Sequence, residues 1–260
     1  HALDQGVEEI ILGLGGSATC DAGVGMAQAL GYQFLGEEGN CLHPVGKDLS
    51  QIAQIDATQV HPRLHHVSIS IACDVENPLY GPQGAAFIFA PQKGANQQEV
   101  RILDQGLQDI AHLLNRLAGK SVENILGAGA AGGMGAGAMA FLRGELQSGA
   151  ALVGKWAGLS KQLADADLII TGEGKLDSQS KDGKLISYIM KEAHQANVPV
   201  IALCGSLNLD IKGIEELGLI SAQSILTGPA TLDQALKSTK KGLELAAYSA
   251  FRLYYLGRSM

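Results

Sequence analysis

The chain has 260 residues, 46% of them hydrophobic and 17% charged. This is a globular composition, and the length allows one large domain or two modest ones, each with its own core. The formal net charge is −7 and no Lys/Arg-rich run is present, which argues against a nucleic-acid or anionic-membrane partner. The longest uncharged run, at residues 126–142, is rich in glycine and alanine and too short to span a bilayer.

The cysteine and glycine contents narrow the class of protein further. The four cysteines are scattered without a CxxC pair, so the sequence predicts neither a zinc site nor a redox pair. Scattered thiols are typical of a reducing compartment, and we therefore predict a cytoplasmic protein. The 34 glycines are roughly double the usual share, which indicates several loops where the backbone approaches another group closely.

In chain order, the first 150 residues mix short strands with helices. Alternating or continuous apolar patterns predict strands at residues 7–14, 32–34, 67–73 and 85–89. Helical periodicity predicts helices at residues 21–31, at 97–117 and at the end of a Gly/Ala-rich segment that runs from 127 to 142.

The remaining residues alternate regularly between the two kinds of element. A helix is predicted at 159–164, followed by strands at 168–171, 199–203 and 224–226, with helices at 183–196 and after residue 229. Such alternation predicts an α/β fold with a parallel sheet and right-handed crossovers. Three strands make a thin sheet, so we expect further strands to complete it.

The first glycine-rich loop, GLGGSATCDAG at residues 13–23, lies between a predicted strand and a predicted helix. Backbone N–H groups at such a helix N-terminus suit an anion such as phosphate. Gly15 and Gly16 would bring the backbone close to that anion, and Ser17 and Thr19 would add hydroxyl donors. Asp21 would bind a metal ion or, as the alternative, act as the N-cap of the helix.

The same loop also fits a dinucleotide-binding pattern. It matches G-x-G-x-x-A, and Glu37 and Glu38 follow about 20 residues later, the spacing at which an acidic residue binds a ribose. A nicotinamide-dependent dehydrogenase is therefore an alternative function.

A second motif, ACDVENPL at residues 72–79, follows a predicted strand. Asp74 lies at the end of that strand, where open α/β sheets place functional groups. Asn77 would contact phosphate or, as the alternative, form an Asx-turn that initiates the Asn-Pro bend.

A third motif, PQKGA at residues 91–95, places a lysine in a loop bounded by proline and glycine. Lys93 could neutralise a phosphate as a point charge, or it could be an ordinary solvated lysine.

A fourth motif, GAGAAGGMGAG at residues 127–137, again leads into a helix. A polar linker would not be so rich in alanine, so we favour a ligand-facing loop in which Gly132 and Gly133 approach phosphate. Close helix packing is the alternative.

A fifth motif, TGEGKLDSQS at residues 171–180, follows the strongest predicted strand. It is predicted to place Glu173, Lys175, Asp177 and Ser180 in one loop at the carboxyl end of that strand. Carboxylates for Mg²⁺ or for deprotonating a hydroxyl, together with a lysine for phosphate, suit phosphoryl transfer. A purely structural loop is the alternative.

Taken in order, these five motifs resemble the type I glycerate kinase family. They read GxGGSATxDxGxGM, ACDVxNPLxGPxGAA, PQKGA, GAGAAGGMGAG and TGEGKLDxQS, and the resemblance covers essentially the whole chain. It implies two α/β domains with the active site in the cleft between them, formed here by residues 1–155 and by a Rossmann-like domain at 156–260. It also implies use of ATP and Mg²⁺ to phosphorylate glycerate, with 2-phosphoglycerate as the expected product.

On this interpretation the candidate catalytic residues are Asp74, Glu173, Asp177 and Lys175. The candidate metal ligands are Asp21, Asp74 and Asp177. Lys93 or Lys175 would steady the transferred phosphoryl group. The family normally begins with a strand and an APDSFK-like loop and later carries a DGGEG-like loop; neither occurs here. We therefore expect an N-terminal segment to be missing, and a non-catalytic ligand-binding protein is a further alternative. A homodimer is one possible assembly.

Overall fold

The structure is a computed structural model that describes residues 1–177, 180 and 184–258. The chain divides into two compact units, His1–Gly149 and Ala150–Met260. The assignment of residues 1–155 and 156–260 to two domains remains a prediction. No helix in the described part of the chain is long and apolar enough to cross a membrane.

The first unit contains six strands and four α-helices within the described residues. In chain order these are β1 (Glu9–Gly13), α1 (Val24–Ala29), β2 (Gln33–Leu35), β3 (Cys41–Leu42), β4 (Gln54–Asp56), β5 (Ser68–Ala72), α2 (Ala85–Phe89), α3 (Gln97–Ala118), α4 (Ala130–Phe141) and β6 (Glu145–Gln147). Short 3-10 helices lie at Gly46–Gln51, Pro62–His66 and Pro91–Lys93.

A parallel sheet of order β1-β5-β6 sets the position of the first two motifs. Gly13 is paired with Ala72, and Ala72 is paired with Gln147, so the carboxyl ends of the three strands lie side by side. The segments that follow β1 and β5 therefore start from the same edge, where parallel sheets carry functional groups. A separate antiparallel sheet of order β3-β2-β4 holds the shorter strands.

Helix α3 is the longest helix of this unit, and its residues explain both its ends and its buried face. Asn96 accepts hydrogen bonds from the backbone N–H groups of Gln98 and Glu99, while Glu99 accepts one from the N–H of Asn96, which forms a capping box. Gly119 ends the helix in a left-handed conformation. The core-facing side is buried at Val100, Leu107, Ile110 and Leu114, which confirms the predicted helical period.

The strand predicted at residues 85–89 is wrong, because these residues form helix α2. Ala85 and Ala86 are fully buried, while Phe87 and Ile88 on the same short element are each 41% exposed. Ile88 donates its N–H to the carbonyl of Gly84, four residues earlier, as in an α-helix. A five-residue apolar run does not distinguish a strand from a helix by periodicity.

The second unit alternates helices and strands around a parallel sheet of order β7-β8-β9. Its elements are α5 (Gly149–Trp156), which begins at the last residue of the first unit, α6 (Leu159–Leu163), β7 (Ile169–Leu176), α7 (Lys184–Ala196), β8 (Val200–Leu207), α8 (Ile211–Glu216), β9 (Ser221–Ser224) and α9 (Leu232–Arg258). The predicted α/β class with a parallel sheet is confirmed.

The strands of the second unit differ from the predicted ones at their ends. β7 continues through Gly172 and Gly174 to Leu176, and β8 continues to Leu207, whereas the sequence predicts that these strands end at residues 171 and 203. A Cβ at Gly205 of β8 would lie 2.6 Å from the carbonyl oxygen of Gly174, so these glycines permit close backbone approach within a sheet. The strand predicted at 224–226 ends at Ser224.

Candidate active site

The loop after β1 leaves the parallel sheet through a backbone hydrogen bond. Leu14 donates its N–H to the carbonyl of Ala72 at 2.9 Å, which keeps the start of the loop beside the end of β5. Gly15 and Gly16 are exposed, and Gly16 has a φ of 59°, a conformation that favours glycine. The backbone at the predicted phosphate-binding glycines is therefore accessible from solvent.

Lys93 reaches this loop from the 3-10 helix Pro91–Lys93. Its Nζ donates to Ser17 Oγ at 2.7 Å and to the carbonyl oxygen of Thr19 at 2.6 Å. Burial lowers the pKa of Lys93, while the neighbouring Cys20 and Asp21 act in the opposite direction. Lys93 is thus a positioned cation, and the alternative of a freely solvated lysine does not fit these contacts.

Asp21 lies in the same loop and stabilises the turn into α1. Its Oδ1 accepts the N–H of Gly23 at 3.1 Å, and Gly23, with a φ of 75°, is the N-cap of α1. The helix begins at Val24 rather than at residue 21, so the predicted N-cap role of Asp21 is wrong: its side chain forms an Asx-type turn two residues earlier.

Of the residues described so far, Thr19, Asp21 and Lys93 line a cavity of about 560 Å³ within the first unit. The sequence motifs supplied only part of its lining, because Val45, Lys47 and Ile102 come from segments without a recognised motif. The sequence gives only a weak indication that Lys47 belongs to a site, namely the single glycine, Gly46, that precedes it. The lining residues that bear on function are Thr19, Asp21, Val45, Lys47, Lys93 and Ile102.

Cys20 also lines this cavity, but as a neutral group. Burial raises the pKa of its thiol to about 11, even though Lys93 favours the thiolate. The thiol therefore stays protonated near neutral pH and adds no nucleophile to the cavity.

Gly132 and Gly133 have a packing role in the structure. With φ values of 74° and 90° they form a kink at the start of α4, and a Cβ at Gly132 would overlap the carbonyl oxygen of Thr19. The carbonyl of Gly132 also accepts the N–H of Ala22 at 3.1 Å. Both glycines are buried, which supports the close-packing alternative; their assignment to phosphate binding stays a prediction.

Two residues of the motif after β5, Asp74 and Asn77, form hydrogen bonds to the backbone. Asp74 is exposed, and its Oδ1 accepts the N–H of Gly149 at 3.2 Å. Asn77 uses its Nδ2 to donate to the carbonyl of Gln83 at 2.8 Å, which ties the loop to itself instead of forming the predicted Asx-turn. Neither residue is among those lining the cavity.

The fifth motif is mostly strand, so the prediction of one loop carrying its four functional side chains is wrong. Glu173 and Lys175 lie within β7, paired with Cys204 and Ser206 of β8, because hydrogen bonding to β8 extends the strand through its glycines. Lys175 Nζ forms an ion pair with Asp177 Oδ2 at 2.7 Å. Asp177 donates its N–H to Ser180 Oγ at 2.9 Å.

Ser178 and Gln179, together with the predicted helix start at Gly183, lie outside the described residues. The second unit has a cavity of its own, of about 590 Å³. It lies beside Met190, His194 and Glu215, and none of the predicted site residues lines it.

The three candidate metal ligands belong to different segments. Among the described residues, no three His, Cys, Asp or Glu side chains converge on a point that could hold a metal ion. Mg²⁺ in phosphoryl-transfer sites usually binds one or two carboxylates and the substrate phosphates, so three converging carboxylates are not required. Asp21, which lines the cavity with Lys93, could supply one such carboxylate.

The dinucleotide alternative does not fit the topology. In a Rossmann unit the strand after the first helix runs parallel to the first strand in the same sheet. Here β2 pairs antiparallel with β3 and β4 in a separate sheet. Glu37 and Glu38 lie in the turn between β2 and β3.

The parallel sheet, the glycine-rich loop that follows β1 and the half-buried Lys93 held against that loop define an α/β protein with a candidate binding site for an anion such as phosphate. Comparison with known sequences makes the assignment specific. The model of the glycerate kinase family matches residues 1–255, and the chain belongs to this family.

Individual relatives support the same conclusion. The chain is 44% identical over 247 residues to a glycerate kinase of Bacillus cereus and 42% identical over 237 residues to the glycerate 2-kinase of Escherichia coli. These matches cover 95% and 91% of the chain but only 65% and 62% of the relatives. The chain thus spans slightly less than two thirds of their length.

A solved structure is similar over the whole chain. The crystal structure of a protein provisionally assigned as glycerate kinase 2 from Salmonella typhimurium LT2 matches with a TM-score of 0.83 and 41% identity. The match covers 100% of this chain and 68% of the chain in the crystal structure. The fold is therefore that of this family.

Proposed function

We propose that the protein is a glycerate kinase that transfers the γ-phosphate of ATP to a hydroxyl of glycerate, giving phosphoglycerate, with 2-phosphoglycerate as the expected product, and ADP. The proposal rests on membership of the glycerate kinase family and on one geometric observation: the ammonium group of Lys93 is held against the Ser17 hydroxyl and the Thr19 carbonyl.

The contacts of Lys93 suit it to phosphate. An ammonium has three N–H donors, and two of them are used by Ser17 and Thr19. One donor and the full positive charge are left for a phosphate oxygen at the cavity. The exposed backbone of Gly15 and Gly16 would add N–H donors to the same phosphate.

Catalysis of this kind consists mainly of positioning and charge neutralisation. The glycerate hydroxyl oxygen forms a bond to the γ-phosphorus while the bond to the β,γ-bridging oxygen breaks, and a carboxylate takes the hydroxyl proton. Mg²⁺, when bound with ATP, neutralises phosphate charge, and Asp21 would help to hold it.

Asp74, Glu173 and Asp177 stay the candidates for accepting the hydroxyl proton. Of these, Asp177 is the one that forms an ion pair with Lys175. Asp74 and Asp177 also remain candidate metal ligands, and Ser180 and Asn77 remain candidate substrate contacts.

We also propose which molecules the protein binds and where it is located. Its partners are small molecules, ATP and glycerate, without nucleic acid, and its location is the cytoplasm. The homodimer remains one possible assembly.

The direct test is ADP release from MgATP with and without D-glycerate by the full-length protein. Glycerate-dependent ADP is the expected result. Lys93→Met should lower kcat/KM by about 100-fold, since it removes a positioned charge from the transition state. Lys120→Met, which changes an exposed lysine outside the cavity, should leave the rate unchanged.

Absence of glycerate-dependent ADP from the folded full-length protein would contradict the kinase and favour the non-catalytic ligand-binding alternative. Equal rates for Lys93→Met and the wild type would remove Lys93 from the site but leave the kinase in place.

A further inference from the structure

The cavity beside Lys93 has two chemically different sides. On one side lie Thr19, Asp21 and Lys93, which are polar or charged. On the other side lie Val45, Ile102 and Leu103, with Ala90 and Ala95 beside them. A pocket that is mainly apolar with a few convergent polar groups is the usual form of a small-molecule site.

The apolar side is exposed to solvent although it consists of large hydrophobic residues. Val45 is 53% exposed and Ile102 is 45% exposed, and they come from two different elements that border the same cavity. Single exposed apolar residues need no explanation, but two of them converging on one cavity indicate a surface that a ligand covers.

The backbone fixes these walls in place. Gly46 lies so close to the first loop that a Cβ would overlap the carbonyl oxygen of Cys20 and would come within 2.9 Å of Leu103. A Cβ at Gly106 of α3 would lie 3.0 Å from the Cβ of Leu49. The 3-10 helix Gly46–Gln51 is therefore held against both the phosphate-binding loop and α3, so the cavity is preformed.

Two ammonium groups of the cavity could each donate to a phosphate oxygen. Lys47 and Lys93 both line it, and among the described residues Lys47 makes no ion pair. Of the two lining carboxylates, Glu99 is engaged by the N–H of Asn96 at 2.8 Å. With two lysines and the two carboxylates Asp21 and Glu99, the lining has a formal charge of zero, so Lys47 and Lys93 would act as local donors to phosphate oxygens and not through a net positive charge.

From these observations we infer that this cavity binds the nucleoside part of the phosphoryl donor, with its base against Val45, Ile102 and Leu103 and its phosphates directed to Lys93 and Lys47. The inference rests on the proposed kinase function and extends it to two new elements, the wall around Val45 and the 3-10 helix that carries Lys47.

Size and polarity decide between the two substrates. The volume of about 560 Å³ lies within the range of about 300–1,000 Å³ typical of pockets for larger ligands. Glycerate is a small anion that is polar on every side, so it would leave the apolar wall uncovered. A purine base presents a flat apolar face that would cover it.

The test measures binding of a non-hydrolysable ATP analogue and of adenosine by calorimetry, on the full-length protein. Ile102→Asp places a charge in the apolar wall and should weaken both ligands by about tenfold or more, because burying a carboxylate beside an apolar base is costly. Ile88→Asp changes a similarly exposed isoleucine outside the cavity and should weaken neither.

Lys47→Ala separates the phosphate contribution from that of the base. It should weaken the ATP analogue about fivefold, because a contact with a charged group is lost, and leave adenosine unchanged. Lys120→Ala is the matched control. Unchanged binding of the analogue by both Ile102→Asp and Lys47→Ala would overturn the inference.

Steady-state kinetics distinguish failure of the inference from failure of the proposed function. The expected result is an increased KM for ATP, with the KM for glycerate unchanged. If glycerate-dependent ADP is formed but the variants change only the KM for glycerate, the kinase stands and the nucleoside site is wrong. If no ADP is formed but the analogue shows the expected binding pattern, the nucleoside site stands and the kinase is wrong.

Discussion

Lys93 joins two segments of the first unit through a single ammonium group. Its bonds to Ser17 and Thr19 place a charge where the loop after β1 exposes its backbone. The same position partly removes that charge from water, which is why its pKa is lowered. A lysine in this setting loses its proton at a lower pH than an exposed lysine does.

This pKa leads to a pH-dependent prediction. As the pH rises, the charged form of Lys93 is lost earlier than for an ordinary lysine, so kcat/KM for ATP should fall on the alkaline side. Lys93→Arg keeps its charge at every accessible pH and should move this alkaline fall to higher pH, even if its maximal rate is about tenfold lower because the guanidinium is larger. Superimposable alkaline limbs in the two pH–rate profiles would contradict the role of Lys93.

The cysteines give a second prediction at this scale. Cys41 is exposed, whereas Cys20, Cys73 and Cys204 are buried. Burial raises the pKa of Cys20 to about 11 and also raises the pKa of Cys204. In the native protein at pH 8, iodoacetamide should therefore modify Cys41 at least about 100-fold faster than Cys20, because the thiolate is the reacting species.

Peptide mass mapping over time measures these rates. Labelling in denaturant is the control, since all four thiols should then react alike. Equal labelling of Cys20 and Cys41 in the folded state would contradict the buried position of Cys20 in the cavity wall.

Among the elements, α4 is the one whose sequence is explained by packing. A Cβ at Gly137 would overlap the backbone carbonyl of Ala22, which cannot move as a flexible side chain could. Gly137→Ala should lower the free energy of unfolding by about 1–3 kcal/mol, the usual cost of overpacking. Chemical denaturation measures this change.

Gly13→Ala is the matched control, because an added Cβ there meets no atom within 4 Å. It should change the stability by less than about 0.5 kcal/mol. If Gly137→Ala is as stable as the control, the contact between α4 and the first loop is not the reason for this glycine.

Several elements were predicted correctly from the sequence. The 22-residue α3 was recognised from its apolar period, and β1 and β5 from their short apolar or alternating runs. Prediction failed at α2, where five apolar residues fit either structure, and in β7, where Gly172 and Gly174 suggested a loop. Glycine has no side chain whose polarity could contribute to an alternating strand pattern. Its conformation here is decided by pairing with the neighbouring strand, which the sequence does not show.

At the scale of the whole molecule, each unit has a hydrophobic core of its own. The core cluster of the first unit is built from residues between Leu3 and Leu142. The second unit contains two smaller clusters, built around Leu176 and Val200 and around Ile201 and Leu203. Because the core cluster of the first unit contains no residue beyond 149, we propose that the domain boundary lies directly after Gly149 and not after residue 155 as the sequence predicts.

A fragment of residues 1–149 should therefore fold alone. We expect a cooperative thermal transition and dispersed amide resonances, since its length is typical of an independent domain. The full-length protein is the control. A fragment without a cooperative transition would contradict the boundary.

The sequence by itself determined the α/β class, the order of the five motifs and the family, because these depend on local periodicity and on short segments that need no tertiary contact to be recognised. It also singled out Lys93, Ser17 and Thr19. Only the tertiary structure decided that these three meet, that Lys47, Val45 and Ile102 line one cavity together with Lys93 and Thr19, and that Gly132 lies against Thr19. The physical reason is that a cavity is made by segments distant in the chain, and no local pattern records which of them pack together.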